Sequence, residues 1–396
     1  MQTSILQDKE PASLWWEAIA GPHMLVEAVS ARLLSGCSLL LLTGDAFPWR
    51  WAFRGNIESL LAREDVNIEY IDCKDTYQGG EIGEFVLQQT APSEIPAYLR
   101  CLKDPLEWLK RSRILDHRII WFKGISDEHR EQFLKFVNSY RSTSLYEGSL
   151  LLELEYPPGR AAQSKFVETI NYHNFVTQTD LHLFCTLLAL HYDVPPDLRD
   201  YAAAVITNLC ATDGEVAEIL FRRMDFSRDE PIKVLEDCFH NREFPLGHGA
   251  ACAPGQAAHP FYLLLAKDQI QLIRRVWKAQ LQVAFPKIEL ERLQLIEQYE
   301  QPIQEALHTQ YWDFKKNCAK YVEQFGAAIQ NPYDIELGTL HFMLQVFRAN
   351  DREVPLLSVA PTDRKRIHFL VEMRNRKLAH IYNNQNCSPA EMSELL

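Results

Sequence analysis

Near the C-terminus, the stretch Met373-Arg374-Asn375-Arg376-Lys377-Leu378-Ala379-His380 sets guanidinium, side-chain amide and imidazole groups close together. That combination suits phosphate chemistry. A guanidinium can clamp a phosphate through two parallel hydrogen bonds, and an imidazole can take or give a proton near neutral pH. Arg374 and His380 are six residues apart. On an α-helix this is roughly 120° of rotation, so the two would flank one groove, while Arg376 and His380, at i and i+4, would line up. Arg376 and Lys377 would add local cationic charge for nucleic-acid binding. The same residues also allow a purely structural arrangement, with Arg374 and Arg376 paired to Glu372 or Asp363 and His380 at a helix C-terminus.

The elements that must position these groups read as helices. Arg364 to Val371 forms an amphipathic run with Ile367, Leu370 and Val371 on one face. Upstream, Phe261 to Val283 and Ile288 to Gln310 read as long helices separated near Pro286, followed by Tyr311 to Phe325 and Asp334 to Arg348. No segment here alternates with period two, so residues 260–396 are expected to form an all-α bundle.

With an Arg, a polar residue after it, five intervening residues and a His, this region resembles a HEPN domain. Asp334-Ile-Glu-Leu-Gly338, opening a helix ahead of the motif, agrees with the usual order of elements in that family. The resemblance covers about residues 260 to 396. It implies a metal-independent endoribonuclease in which Arg374 is the phosphate clamp, His380 the acid or base, and Asn375 a positioning group. One Arg and one His are too few to activate the 2′-OH, protonate the leaving oxygen and hold the phosphate. In such families two copies pool their residues, which implies a homodimer through the C-terminal helices. Members without activity act in dimerisation or nucleotide binding.

The N-terminal third reads differently. Cys37-Ser-Leu-Leu-Leu-Leu-Thr43-Gly44, Asn67–Asp72, Arg118–Phe122 and Ser149–Glu155 look like strands, several of them uninterrupted apolar runs of the buried parallel type. Helical patterns at Trp49–Arg63, Ile82–Gln89 and Asp127–Tyr140 alternate with them. A helical stretch, Ser13 to Leu34, broken at Gly21-Pro22, precedes them. The expected architecture for 1–176 is a mainly parallel sheet covered on both faces. Over residues 20 to 180 the order resembles the core of P-loop ATPases of the AAA+ or STAND type, in degenerate form. In place of a GxxxxGK[ST] loop stands Gly44-Asp-Ala-Phe-Pro-Trp-Arg-Trp51, with no Lys-Ser/Thr pair for phosphate and Mg²⁺. Trp121-Phe122-Lys123-Gly124 replaces the acidic end of the third strand. Trp49 and Trp51 are expected to fill the nucleotide space, and Asp45 and Asp72 to serve as cap and turn residues.

From Thr177 the pattern turns helical, with Thr179 or Asp180 as N-cap. Residues 177–240 are expected to form a helical module placed like the lid of P-loop families. Residues 241–259 read as a Gly/Ala/Pro-rich linker. Cys238, His240, His248 and Cys252 lie near one another in sequence, but their spacing is not that of a zinc site, and no metal or cofactor is expected. The nine cysteines are scattered without a CxxC pair, as reduced thiols are. The formal net charge of -12 argues against a protein that coats nucleic acid but leaves room for a local basic patch. The polar, acidic first ten residues show no signal peptide, and no apolar run is long enough to span a bilayer. A cytoplasmic protein is therefore expected.

Two functions follow as expectations. One is a defence or toxin endoribonuclease whose N-terminal part senses or docks a partner. The other is a scaffold or adaptor subunit of a multi-protein defence complex. RNA and partner proteins are the expected ligands.

Overall fold

The computed structural model describes residues 9–64, 66–101, 104–141, 148–156, 166–241, 258–308, 329, 331–349, 352–379 and 386–396. It divides into two compact units, the first made of Met1–Asp193, Cys210–Arg223 and Cys238–Lys267, the second of Val194–Leu209, Met224–Asp237 and Asp268–Leu396. The helical segment 177–240 contributes to both.

The first unit opens with α1 (Pro11–Ala18) and α2 (Ala20–Leu34). The break between them falls at Ile19, where the backbone is extended. Gly21-Pro22 instead lies in the first turn of α2, where a missing amide donor costs little. Five parallel strands follow: β1 (Ser38–Leu42), β2 (Asn67–Asp72), β3 (Arg118–Lys123), β4 (Ser149–Leu154) and β5 (Val167–Asn171). Their spatial order is β2-β3-β4-β1-β5. The chain leaves β1 through α3 (Arg50–Leu61) for the far edge, then returns one strand at a time through α4 (Ile82–Thr90), α5 (Pro105–Ser112) and α6 (Arg130–Arg141). Steps in opposite directions with right-handed crossovers place their helices on opposite faces. Accordingly α4, α5 and α6 pack on one another, and Phe85, Leu109, Phe133 and Val137 form one core with Leu40, Phe122 and Leu152. The alternate strand residues point the other way, where Trp121 of β3 meets Phe53 of α3 edge to face and α1, α2 and α3 pack together. The α/β expectation for this region holds.

The unit continues into α7 (Gln178–His191), which carries a capping box. Thr177 is the N-cap, and Asp180, read from sequence as a possible cap itself, is the reciprocal N3 partner. Helix α8 (Arg199–Cys210) runs through the second unit, and α9 (Gly214–Arg223) belongs to the first.

The second unit is built on α10 (Gln269–Gln298), a continuous helix of 30 residues with Pro286 inside it. The separation anticipated at Pro286 does not occur. Leu272, Val276, Ala279, Ala284 and Ile288 are all buried along this helix, and burial of that stripe offsets the lost backbone bond. Helix α11 (Glu300–Leu307) follows, then α12 (Leu337–Met343). The helix expected to continue to Arg348 stops at Met343, and Val346–Ala349 pairs antiparallel with Arg352–Pro355 as β6 and β7. Among its described residues the C-terminal region is therefore helical with one antiparallel strand pair, not all-α. Then come α13 (Pro361–Glu372), a π-helical turn (Met373–Leu378) and α14 (Pro389–Leu395). The helix expected over 311–325 lies outside the described residues. Among those described, no helix is long and apolar enough to cross a membrane.

Candidate functional site

The Arg/Asn motif occupies the π-helical turn, and the local sequence explains why. Met373 and Leu378 are both fully buried, five positions apart, with four polar residues between them. An α-helix would turn Lys377 toward the core beneath Met373. Widening the turn by one residue buries both apolar side chains and leaves the polar run outside. The bond that closes it, from the Ala379 N–H to the Arg374 carbonyl at 2.8 Å, is an i+5 bond. The α-helical spacing read from sequence thus does not apply from Met373 onward. Helix α10 secures the end of the turn, since the Trp277 indole N–H donates to the Leu378 carbonyl at 2.9 Å.

Arg374 is partly exposed and meets Glu336, the residue before α12, at 3.8 Å. Asn375 and Arg376 are exposed. Arg376 lies 3.6 Å from Glu372, and Lys377 lies 3.1 Å from Glu391 on α14. Both proposed nucleic-acid-binding cations therefore have carboxylates beside them. Asp363, the other carboxylate considered for the arginines, instead accepts from the Tyr299 hydroxyl. His380 lies outside the described residues.

The motif borders a seam between α12 and α13, which run antiparallel. Three contacts cross it: Arg364 donates to the Leu344 carbonyl, His341 Nε2 stands 2.8 Å from His368 Nδ1, and Arg374 faces Glu336. On its other side α13 is held by Arg366, which makes two hydrogen bonds to Glu291 of α10, at 2.6 and 2.7 Å. His341 is half-buried, and burial first, then the neighbouring His368, lower its pKa. His368 is exposed. Sequence reasoning passed over both imidazoles, which are 27 positions apart and share no motif.

In the first unit, three amides of the turn after β1 are already engaged. The Thr43 and Gly44 N–H groups extend the pairing with β4, donating to the Leu154 and Glu155 carbonyls at 2.9 and 3.0 Å. The Trp49 N–H donates to the Glu215 carboxylate at 3.0 Å. Phe47 and Trp49 are buried, Phe47 packing on Trp16, Phe53 and Tyr172, and Trp49 on Phe184. Trp51, expected to fill this space with Trp49, is instead 66% exposed. Arg50 and Arg54 both reach Glu153 of β4, whose side chain is 4% exposed and also accepts from the Trp121 indole at 2.9 Å. Asp72 caps the short helix after β2, accepting from the Lys74 N–H. Asp45 is half-buried near His173, His259 and Asp213, and burial raises its pKa. Asp213 and His259 form a fully buried pair, and Asp213 also accepts from the first amides of α9.

Among the described residues, no cluster of three or more His, Cys, Asp or Glu side chains is placed to hold a metal. Of the four residues weighed for a metal, Cys238 and His240 close one helix, whereas His248 and Cys252 lie outside the described residues. No protein-family model matches the chain, and no curated protein matches it by sequence.

Proposed function

We propose that the second unit cleaves RNA by a HEPN-type mechanism, with Arg374 holding the scissile phosphate, Asn375 positioning it and His380 transferring a proton. The observation that carries this reading is the π-helical turn. It leaves the motif's amide exposed and its guanidinium partly exposed while burying their apolar neighbours. Among the described residues, the ion-pair partner of Arg374 is Glu336, 3.8 Å away and itself 68% exposed. Exposed pairs of this kind contribute little, about 0–1 kcal/mol, so a phosphate can displace Glu336 at small cost. Association of two copies through their last helices would pool their guanidinium and imidazole groups. In this reading the chain acts in defence or as a toxin, in the cytoplasm, and its N-terminal sheet docks or senses a partner without hydrolysing nucleotide. The spent amides of Gly44 and Trp49 support that last point.

The same spent amides favour a second reading, in which the whole chain is an adaptor within a multi-protein complex. RNA integrity in cells expressing the chain separates the two. Cleavage that disappears in the Arg374→Ala/His380→Ala double variant is the expected result. Intact RNA with both proteins would leave the adaptor.

A further inference from the structure

Cleaving an RNA strand through its own 2′-OH requires two proton transfers, and one Arg with one His falls short of them. The seam beside Arg374 contains two more imidazoles. His341 on α12 and His368 on α13 stand 2.8 Å apart, nitrogen to nitrogen. His341 lies five residues beyond Glu336, and His368 six before Arg374. At about 1.5 Å of rise per residue, the histidine positions and those of Glu336 and Arg374 are offset by about 7.5–9 Å along one seam. An extended strand laid along the seam would meet both.

We propose that the His341–His368 pair is the proton-transfer couple for RNA cleavage in this seam, supplied within one copy of the chain while Arg374 holds the phosphate. The inference rests on the nuclease reading above for the substrate and for Arg374, and it replaces His380 and the second copy as the source of the proton transfers. When His341 Nε2–H donates to His368 Nδ1, the outer nitrogens are an acceptor, His341 Nδ1, and a donor, His368 Nε2–H. Burial favours the neutral form of His341 that this arrangement needs. His341 Nδ1 then takes the proton from the 2′-OH as the O2′–P bond forms. His368 Nε2 gives its proton to the 5′-oxygen as the P–O5′ bond breaks, and the proton between the rings crosses from His341 Nε2 to His368 Nδ1. The products are a 2′,3′-cyclic phosphate and a 5′-hydroxyl, and both rings end neutral. Proton exchange with water restores the starting tautomers. Among the described residues, Arg364, Glu336 and Arg374 are charged groups whose contacts cross the seam, and Lys365 and Glu372 lie one turn to either side of His368 on α13.

The test is the pH–rate profile of RNA cleavage by the purified full chain, compared with Arg374→Ala, His341→Gln and His368→Gln. Circular dichroism and thermal unfolding accompany each variant. The expected result is a wild-type rate that falls toward acid pH, where a protonated pair has no acceptor, and a loss of about 10²–10⁴-fold in each histidine variant, with that acid limb missing. An Arg374→Ala chain mixed with a His368→Gln chain should not regain activity, because the groups act within one copy. If cleavage requires Arg374 but both histidine variants match wild type, or are slowed with the acid limb retained, the pair is not the couple and the nuclease reading stands. If wild type and Arg374→Ala leave RNA equally intact, the nuclease reading fails and the pair falls with it.

Discussion

Gln280 and Cys387 exchange two hydrogen bonds: the Gln280 amide donates to the Cys387 carbonyl at 2.8 Å, and its oxygen accepts from the Cys387 N–H at 3.0 Å. Gln280 is fully buried on α10, one helical turn from Trp277, which holds the Leu378 carbonyl. A single helix therefore grips the chain at positions 378 and 387, and the motif lies against the first of these grips.

Replacing Gln280 by Leu keeps the volume but strands a buried peptide N–H and C=O. Each unsatisfied group costs about 1–3 kcal/mol, so Gln280→Leu should destabilise the protein by about 2–6 kcal/mol. Urea unfolding measures this directly. A variant within about 0.5 kcal/mol of wild type, the range of ordinary surface changes, would mean that the two-point pairing does not hold this segment.

Trp277→Phe should act locally. It keeps an aromatic ring against the turn and removes only the donor to Leu378, a loss of about 0.5–1.5 kcal/mol. The Ala379 amide, which closes the π-helical turn, should exchange with solvent faster, while amides near the middle of α10 keep their protection. Unchanged exchange at Ala379 would show that the turn is set by Met373 and Leu378 burial alone.

That turn was partly legible in the sequence. Two apolar residues five apart, with only polar residues between them, do not fit an α-helix, and the spacing of Met373 and Leu378 was the available signal. Strands β1, β3 and β4 were readable from the apolar runs Leu39–Leu42, Ile119–Phe122 and Leu150–Leu152, buried on both faces. Strand β5, Val-Glu-Thr-Ile-Asn, escaped notice because it lies at the sheet edge and needs only Val167 and Ile170 inside. The continuity of α10 through Pro286 was not readable, since tertiary packing overrode a local breaker. The His341–His368 contact was beyond reach for another reason. It arises from the antiparallel pairing of α12 and α13, which no local pattern encodes.

Glu153 should be the most sensitive position at the carboxyl ends of the strands. Its buried carboxylate receives Arg50, Arg54 and the Trp121 indole. Glu153→Leu would leave two partly buried guanidinium groups facing an apolar side chain, and removing one partner of a buried pair costs about 3–5 kcal/mol. Glu153→Gln keeps an acceptor for Trp121 and should cost less. If the two variants unfold at the same urea concentration, charge at this position does not matter and the packing argument alone remains.

The last prediction concerns pH. His173 follows β5, and its Nε2 has no hydrogen-bond partner among the described residues. A Cβ placed on Gly44, whose φ is +68°, would come within 2.4 Å of that nitrogen, so only glycine fits opposite it. Burial lowers the His173 pKa from 6.5, with Asp45 opposing. The unfolded chain then binds more protons than the folded one between the two pKa values, so stability is lost as pH falls from about 6.5 through the folded value. Asp45 has the opposite sign. Its pKa is raised by burial, so it costs stability as pH rises through the carboxylate range, below the histidine window. The unfolding free energy of wild type should therefore drop more between about pH 7.5 and about pH 5 than that of His173→Gln. An equal drop in both proteins would exclude His173 as a source of the acid sensitivity.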